Sequence, residues 1–164
     1  MSELNLEWVQ SFIDALPYSK ALGMRAESVS EGRLTMSMPY DTELIGDVQT
    51  GVLHGGAISA LMDSTCGTAV MSLPEGFGTA TLDLRIDYMR AATPGQRVWA
   101  EAECYHITRA VAFARATAWD DDRENPVATA TGAFTYGHMA APKTPEQMEA
   151  AMQALAARQK ELGQ

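Results

Sequence analysis

The sequence is poor in the residues from which disulfide frameworks and metal sites are built. It contains 2 cysteines and 3 histidines in 164 residues. Neither Cys66 and Cys104 nor His106 and His138 stand at a spacing typical of metal ligands. We therefore expect no metal site and no disulfide scaffold. Cys66 also has no evident histidine partner, so a small buried apolar role suits it better than that of a nucleophile.

Positive charge is also scarce. Lysine and arginine number 12 against 21 acidic residues, which gives a formal net charge of −9. This balance excludes a general nucleic-acid binder, because neutralising phosphates requires clustered cationic side chains. Between Arg85 and Arg115, five arginines stand against three acids. That segment suits a small anionic ligand, although a solvated strand face explains it equally simply.

Targeting and membrane-spanning patterns are lacking as well. The first residues, MSELNLEWVQ, do not show the basic and then apolar pattern of a signal peptide. The one long apolar segment, residues 51–73, contains Asp63, several glycines and hydroxyl side chains, which fits a membrane span poorly. We expect a cytoplasmic protein with no membrane partner, and a single domain over residues 1–164.

Hydrophobic periodicity predicts the first half of the chain to mix helix and strand. Residues 3–16 carry apolar side chains at helical spacing, and Pro17 is expected to stop this surface helix. From Met24 the period changes to two, which predicts a hairpin in MRAESV and RLTMSMPY around a SEG turn. Residues 41–53 are predicted to form a loop.

The second half predicts a buried helix, four strands and a tail helix. Residues 54–72 are apolar or small almost all round, a pattern typical of a helix enclosed by protein. In the first of the strands we expect one apolar face, formed by Leu82, Leu84, Ile86 and Tyr88. Residues 144–162 begin with a capping pattern and predict the final helix.

These elements together predict an α+β fold. An antiparallel sheet has one face to cover, and residues 54–72 form the only strongly apolar helix available. We therefore expect the sheet to curl around this central helix, with the N-terminal and C-terminal helices at its flanks. That arrangement is the hotdog architecture.

The start of the predicted central helix carries a His-Gly-Gly turn. A helix N-terminus presents unpaired backbone N–H groups and a partial positive charge. Gly55 and Gly56 have no side chain to obstruct a ligand there. A carbonyl oxygen against the Gly55 N–H would be stabilised as it gains negative charge. The alternative is that both glycines only permit a tight turn or close packing.

Asp63 is the lone acid of the helix. No lysine or arginine occurs between residues 34 and 84 to pair with it, and burying an unpartnered carboxylate is costly. It is either a hydrogen-bonded structural acid or a general base or nucleophile. Eight helical residues from Gly55 span about 12 Å, whereas a reacting carbonyl must lie roughly 3 Å from both groups. A shared site therefore requires Asp63 from a two-fold related subunit.

The segments GVLHGGAISALMDSTCG and TATLDLRIDYMRAATPGQ resemble the hotdog-fold acyl-CoA thioesterases, in particular the PaaI-like phenylacetate-degradation group. The similarity runs over about residues 18–137. It implies that Gly55 polarises the thioester carbonyl and that Asp63 of the opposite subunit attacks it or activates water. It further implies that Thr81 assists the acid, and that His54 shapes the turn and positions the thioester.

The resemblance also implies how substrate is held. The family often carries Asn six residues before the His, where this chain has Val48, and Gln49 is the candidate substitute. Gly56, Arg90 and Arg109 complete the expected substrate-binding set, with the two arginines near the nucleotide part of coenzyme A. No cofactor is implied, since coenzyme A is part of the substrate. A homodimer or a dimer of dimers is implied as the assembly.

The predicted function is hydrolysis of acyl-CoA thioesters at a dimer interface. One alternative is an enoyl-CoA hydratase or dehydratase in which His54 is the acid and base. Another is a sensor that binds acyl-CoA without turnover. The sequence determines neither the preferred acyl group nor whether Asp63 acts as a base or as a nucleophile.

Overall fold

The computed structural model describes residues 5–137 and 144–162 of the chain. The helices are α1 (Leu6–Asp14), α2 (Pro17–Ala21), α3 (Gly55–Met71) and α4 (Pro145–Leu162). The strands are β1 (Arg25–Ser30), β2 (Arg33–Met38), β3 (Ile45–Asp47), β4 (Val52–Leu53), β5 (Thr81–Tyr88), β6 (Val98–Ile107), β7 (Val111–Trp119) and β8 (Ala128–Thr135). A short 3₁₀ turn covers Thr42–Leu44.

Six of the strands form one antiparallel sheet in the order β1-β2-β6-β7-β8-β5. Helix α3 packs across it, against β6, β7 and β2. The inner face under the helix is built largely of alanine, and facing pairs such as Ala102 with Ala116 and Ala116 with Ala130 lie side by side. Side chains this small let the helix lie close to the sheet. The predicted α+β hotdog arrangement is confirmed.

Helix α3 is enclosed on most of its surface, as its composition predicts. Its buried side chains are Ala57, Ile58, Leu61, Met62, Thr65, Cys66, Thr68, Ala69, Val70 and Met71. The less buried positions lie toward its first half and include the functional candidates Gly55 and Asp63. The helix is therefore both the centre of the core and the carrier of the site.

The N-terminal helix differs from the prediction at its end. α1 ends at Asp14, and Pro17 begins a second short helix instead of stopping the first. Proline is favoured at the first position of a helix, because the N–H that it lacks would have no partner there. Leu16 takes the extended conformation that a following proline prefers.

Two further expectations are corrected by the sheet. The predicted loop over residues 41–53 contains β3 and β4, which form a small antiparallel sheet of their own. In β5 the predicted apolar face is only half right, because Leu84 and Ile86 are half-buried while Leu82 and Tyr88 are exposed. β5 is the last strand of the sheet, so no further strand among the described residues covers these positions.

The predicted tail helix is confirmed. Gln147 N–H donates to Thr144 Oγ1, as the capping pattern indicates. Met152 and Leu155 are half-buried, whereas the side chains of Met148 and Leu162 lie outside the described part. Within residues 5–137 and 144–162, no helix has the length and apolar character needed to cross a membrane.

Candidate active site

The N-terminus of α3 leaves one backbone donor unpaired. His54 is the N-cap, and its Nδ1 accepts a hydrogen bond from Gly56 N–H at 2.8 Å. Ala57 N–H donates to the His54 carbonyl at 2.9 Å. Gly55 occupies the first helical position, where no intrahelical acceptor exists, and its N–H has no acceptor among the described residues. The cap therefore uses Gly56 and leaves Gly55 N–H available.

Tyr88, at the end of β5, holds this helix start against the sheet edge. Its hydroxyl donates to the Gly55 carbonyl at 2.7 Å and lies 2.6 Å from Ser59 Oγ. Ser59 Oγ also donates to the Gly55 carbonyl, at 3.2 Å, so both hydroxyls converge on the same carbonyl oxygen. A Cβ on Gly55 would sit 3.4 Å from the tyrosine ring, which is ordinary contact. The carbonyl of Gly55 is thus fixed while its N–H stays free.

Asp63 is held by the opposite end of the same strand. Thr81 Oγ1 donates to Asp63 Oδ1 at 2.8 Å. A bulge between Thr81 and Asp83 re-aims the start of β5. Gly132 on β8 permits it, since a Cβ there would lie 2.5 Å from the Asp83 carbonyl oxygen. The half-buried carboxylate therefore has a hydroxyl partner, in place of the cationic partner that the sequence lacks.

Gly55 and Asp63 do not meet within one chain. Each is tied to a different end of β5, Gly55 through Tyr88 and Asp63 through Thr81. Their helical separation corresponds to about 12 Å along the axis. The structure therefore brings Asp63 together with Thr81, and Gly55 together with His54, as two half-sites.

A large apolar cleft opens beside Asp63. Its volume is about 910 Å³, and Asp63 and Thr81 lie in its wall. The remaining lining comes from α1, Leu16, α2, the second half of α3, residues 77–80, Phe134 of β8 and α4. The acidic half-site thus adjoins a space large enough for a substrate, since ligand pockets occupy roughly 300–1,000 Å³.

Comparison with known proteins identifies the family of this chain. The thioesterase superfamily model matches residues 50–127. A solved thioesterase family protein from Silicibacter pomeroyi is 30% identical, with 79% of this chain and 96% of that protein covered and a TM-score of 0.69. This chain belongs to the thioesterase superfamily.

Further solved structures place it within the superfamily. A protein from Pseudomonas aeruginosa is 44% identical, covers 79% of this chain and 97% of its own, and has a TM-score of 0.71. The phenylacetic acid degradation protein PaaI from Thermus thermophilus is 27% identical, with 73% and 98% covered and a TM-score of 0.66. The resemblance to the PaaI-like group is confirmed. The chain spans 58% and 53% of the length of two curated relatives that it matches.

In this superfamily member Val48 and Gln49 lie in the turn between β3 and β4. Asp47 organises the turn by accepting hydrogen bonds from Gln49 N–H and Thr50 Oγ1, and these bonds, Thr50 first, lower the pKa of Asp47. Val48 is 91% exposed, and Gln49 is exposed too. The structure does not bring Gln49 into contact with Gly55 or Asp63 within one chain.

Arg90 has a structural partner that the sequence did not reveal. Its guanidinium forms two hydrogen bonds of 2.7 Å with Asp120, and its other N–H groups donate to the carbonyls of Ala91 and Asn125. All five donors of the side chain are thereby used. Arg90 braces the loop that follows β5 and has no N–H left for a phosphate.

Arg109 differs from Arg90 in this respect. It is exposed in the turn between β6 and β7, and no ion pair to it occurs among the described residues. Its carbonyl lies close to Gly137, whose N–H donates to the carbonyl of Glu75. Within the described part of the chain, Arg109 is therefore an unpaired cation. It lies at the same end of the sheet as Gly137 and Glu75.

Cys66 and His106 have no site of their own. Burial, with the Asp63 charge added, raises the pKa of the Cys66 thiol to about 12, so the reactive thiolate is absent at neutral pH. His106 lies against the Phe113 ring. Across the described ranges no group of three or more His, Cys, Asp or Glu side chains could hold a metal ion, and His138 lies outside those ranges.

The sequence does not predict two parts of the site. Its alternation places Tyr88 on an apolar strand face, whereas in the structure the Tyr88 hydroxyl donates to the Gly55 carbonyl. The aromatic wall of the cleft, formed by Trp8, Phe12 and Phe77, could not be foreseen. These side chains come together only when α1 and the segment before β5 pack on α3.

Proposed function

We propose that this protein hydrolyses acyl-CoA thioesters at two equivalent sites, each formed between two copies of the chain. The observation that carries the proposal is the attachment of the two half-sites to opposite ends of one edge strand, β5. Thr81 at the start of β5 holds Asp63, and Tyr88 at its end holds Gly55.

Pairing two such edges completes the site. β5 has a strand neighbour, β8, on one side only, and its eight residues leave Leu82, Tyr88 and the following Met89 at least half exposed. An open edge of this kind is a template for pairing. A two-fold axis through the middle of β5 would align the strand antiparallel with its copy. The Thr81 end of one copy would then lie beside the Tyr88 end of the other.

The chemistry follows from the groups so combined. The thioester carbonyl oxygen accepts a hydrogen bond from Gly55 N–H of one copy, where the helix terminus stabilises developing negative charge. Asp63 of the other copy removes a proton from water as the water oxygen bonds to the carbonyl carbon. The carbon–sulfur bond then breaks, and the coenzyme A thiolate takes up the proton. If Asp63 attacks directly, the same bond breaks and water hydrolyses the resulting anhydride.

The surrounding residues position these groups. Thr81 fixes one carboxylate oxygen of Asp63, and His54 caps the helix so that Gly55 N–H points outward unpaired. Arg109 is the candidate contact for a coenzyme A phosphate, because its charge is not used by the described residues. Gly56 and Arg90 are not assigned to substrate, since their donors are already paired.

A thiol-release assay with a panel of acyl-CoA substrates tests the proposal. Asp63→Asn keeps the shape of the side chain but removes its basicity, and kcat should fall about 10²- to 10⁴-fold with little change in KM. Asp121→Asn, at an exposed acid outside the site, is the matched control and should match the wild type. Equal turnover by the two variants would rule out the role of Asp63.

Mixed dimers test whether the site is shared. Gly55→Pro removes the N–H and suits the local backbone, because proline is favoured at the first helical position and His54 already has a pre-proline conformation, φ −61° and ψ 133°. Gly55→Ala, which keeps the N–H, is its control. Losing one such donor should cost about 10²- to 10³-fold in kcat.

Co-refolding Gly55→Pro with Asp63→Asn chains should restore about a quarter of the wild-type activity, because half of the dimers carry one intact site of two. No recovery in verified heterodimers would contradict a shared site. The alternatives give other outcomes in the same assays. Binding without thiol release indicates a sensor, and water addition to an enoyl-CoA that His54→Ala abolishes indicates a hydratase.

A further inference from the structure

The cleft beside Asp63 is closed on its outer side by α4. Ala151, Met152, Ala154, Leu155 and Arg158 all line it. These positions recur at helical spacing and form one stripe of the helix. Arg158 is exposed, so its stem can border the cleft while the charged end stays in water. The helix therefore presents a defined face to the cleft and its other faces to solvent.

The space beneath α4 is not filled by the protein. Met152 and Leu155 are only half-buried, and α1 is the main element that α4 contacts. Protein interiors are normally packed to the density of organic crystals, whereas this helix borders an apolar cleft of about 910 Å³ that is partly open to solvent. A bound apolar group would complete the packing of this helix.

Three aromatic side chains, Trp8, Phe12 and Phe77, form part of the cleft wall. Trp8 stacks on Phe12 with ring centroids 5.8 Å apart and an interplanar angle of 11°, and it tilts against Phe77. Trp8 Nε1 is buried without a hydrogen-bond partner among the described residues. The ring is thus held by packing alone. Such a wall suits apolar groups better than polar ones.

We propose that this cleft holds the acyl group of the substrate, that α4 is its outer wall, and that the enzyme consequently prefers bulky apolar acyl groups over acetyl. The proposal rests on the proposed function, because it takes Asp63, which lies in the cleft wall, as the reacting acid. The lining of the cleft supports this assignment, because Asp63 and Thr81 border the same space as Leu155 and Met152.

The size of the cleft selects the class of acyl group. A dry cavity of about 150 Å³ holds one benzene molecule, and this cleft has about 910 Å³. An acetyl group would leave most of the wall without contacts. Each additional buried methylene is worth about fourfold in binding. kcat/KM should therefore rise steeply from acetyl-CoA to decanoyl-CoA, with phenylacetyl-CoA between them.

Phenylalanine substitutions at two alanines on different faces of α4 test the proposal. Ala151→Phe places a ring in the cleft, whereas Ala157→Phe adds the same ring at an exposed position that does not line it. The ratio of kcat/KM for decanoyl-CoA to that for acetyl-CoA should fall at least about tenfold in Ala151→Phe, the loss of roughly two methylene contacts. In Ala157→Phe the ratio should equal that of the wild type.

Calorimetric titration with decanoate, the hydrolysis product, separates this proposal from the proposed function. Decanoate should bind the wild type and Ala157→Phe, and bind Ala151→Phe at least about tenfold more weakly. Thioester hydrolysis with the same ratio in all three proteins would overturn the cleft assignment and leave the proposed function standing. The opposite outcome is that only Ala151→Phe weakens decanoate binding and none of the proteins hydrolyses a thioester. This result would support the cleft as a site for apolar chains and overturn the proposed function. Circular dichroism of both variants confirms that each is folded.

Discussion

At the scale of single residues, the two oxygens of Asp63 have different surroundings. Oδ1 accepts a hydrogen bond from Thr81, whereas Oδ2 has no hydrogen bond from the described residues. Fixing one oxygen orients the carboxylate and leaves the other for water or the thioester carbon. Thr81 is thus a positioning residue, because it acts on the reaction through Asp63.

Replacing Thr81 should therefore affect kcat more than KM. Thr81→Val keeps the shape but removes the hydroxyl, and a hydrogen bond to a charged group is worth about 1.5–3 kcal/mol, or roughly 10- to 100-fold in kcat. Thr81→Ser restores the donor and should recover most of the activity. Steady-state kinetics with decanoyl-CoA measures both variants. A valine variant as active as the serine variant would contradict the assignment.

At the scale of elements, Arg90 and Asp120 join the loop after β5 to the loop after β7. Asp120 is 2% exposed and also accepts hydrogen bonds from Thr93 N–H and Oγ1. The Arg90 guanidinium, followed by nearby backbone N–H groups, holds the pKa of Asp120 well below its usual 3.8. Opposite charges at this distance hold the carboxylate ionised.

The sign of the pH dependence follows from that lowered pKa. The stabilising contribution of Asp120 is fully present above about pH 4 and is lost as the pH falls toward the folded-state pKa. Asp120→Asn leaves Arg90 without its counter-ion and should lower the free energy of unfolding by about 3 kcal/mol at pH 7. Urea unfolding at pH 7, 5 and 3 should show the difference from wild type constant between pH 7 and 5 and smaller at pH 3. A difference that grows on acidification would contradict this sign.

At the scale of the whole molecule, the open edge of β5 determines whether the protein can work alone. Leu82 at this edge is 56% exposed, and Met89 just beyond it is exposed to the same extent. Apolar side chains along an unpaired edge are costly in water and favour association. If the active site is shared, oligomeric state and activity must change together.

Introducing charge at the edge tests this link. Leu82→Glu places a carboxylate where two copies are proposed to meet, and burying two unpaired charges is unfavourable. Light scattering should show a monomer, and thioesterase activity should fall with the loss of the dimer. Tyr18→Glu is the control, because Tyr18 is 64% exposed and belongs to α2, which is not part of the sheet edge. A Leu82→Glu monomer with full activity would exclude a shared site.

Most of the local elements, and the candidate residues that they carry, follow from the amino-acid sequence alone. The all-round apolar pattern of α3 and the alternation in the four later strands follow from periods of 3.6 and 2, which belong to neighbouring residues. The spacing of Gly55 and Asp63 also showed that one helix cannot bring both residues to the same reacting group. Errors arose where an element ends or where an edge lies, as at Pro17 and in β5.

Contacts between distant residues depended on the packing of the elements. The family resemblance had implied the partnership of Thr81 with Asp63, but the pairing of Arg90 with Asp120 and the place of α4 over the cleft came from sheet order and packing. The physical reason is that periodicity reports which face of an element is apolar but not which other element covers it. The central helix could thus be predicted from composition, whereas the partner of Arg90 and the wall of the cleft were set by the fold.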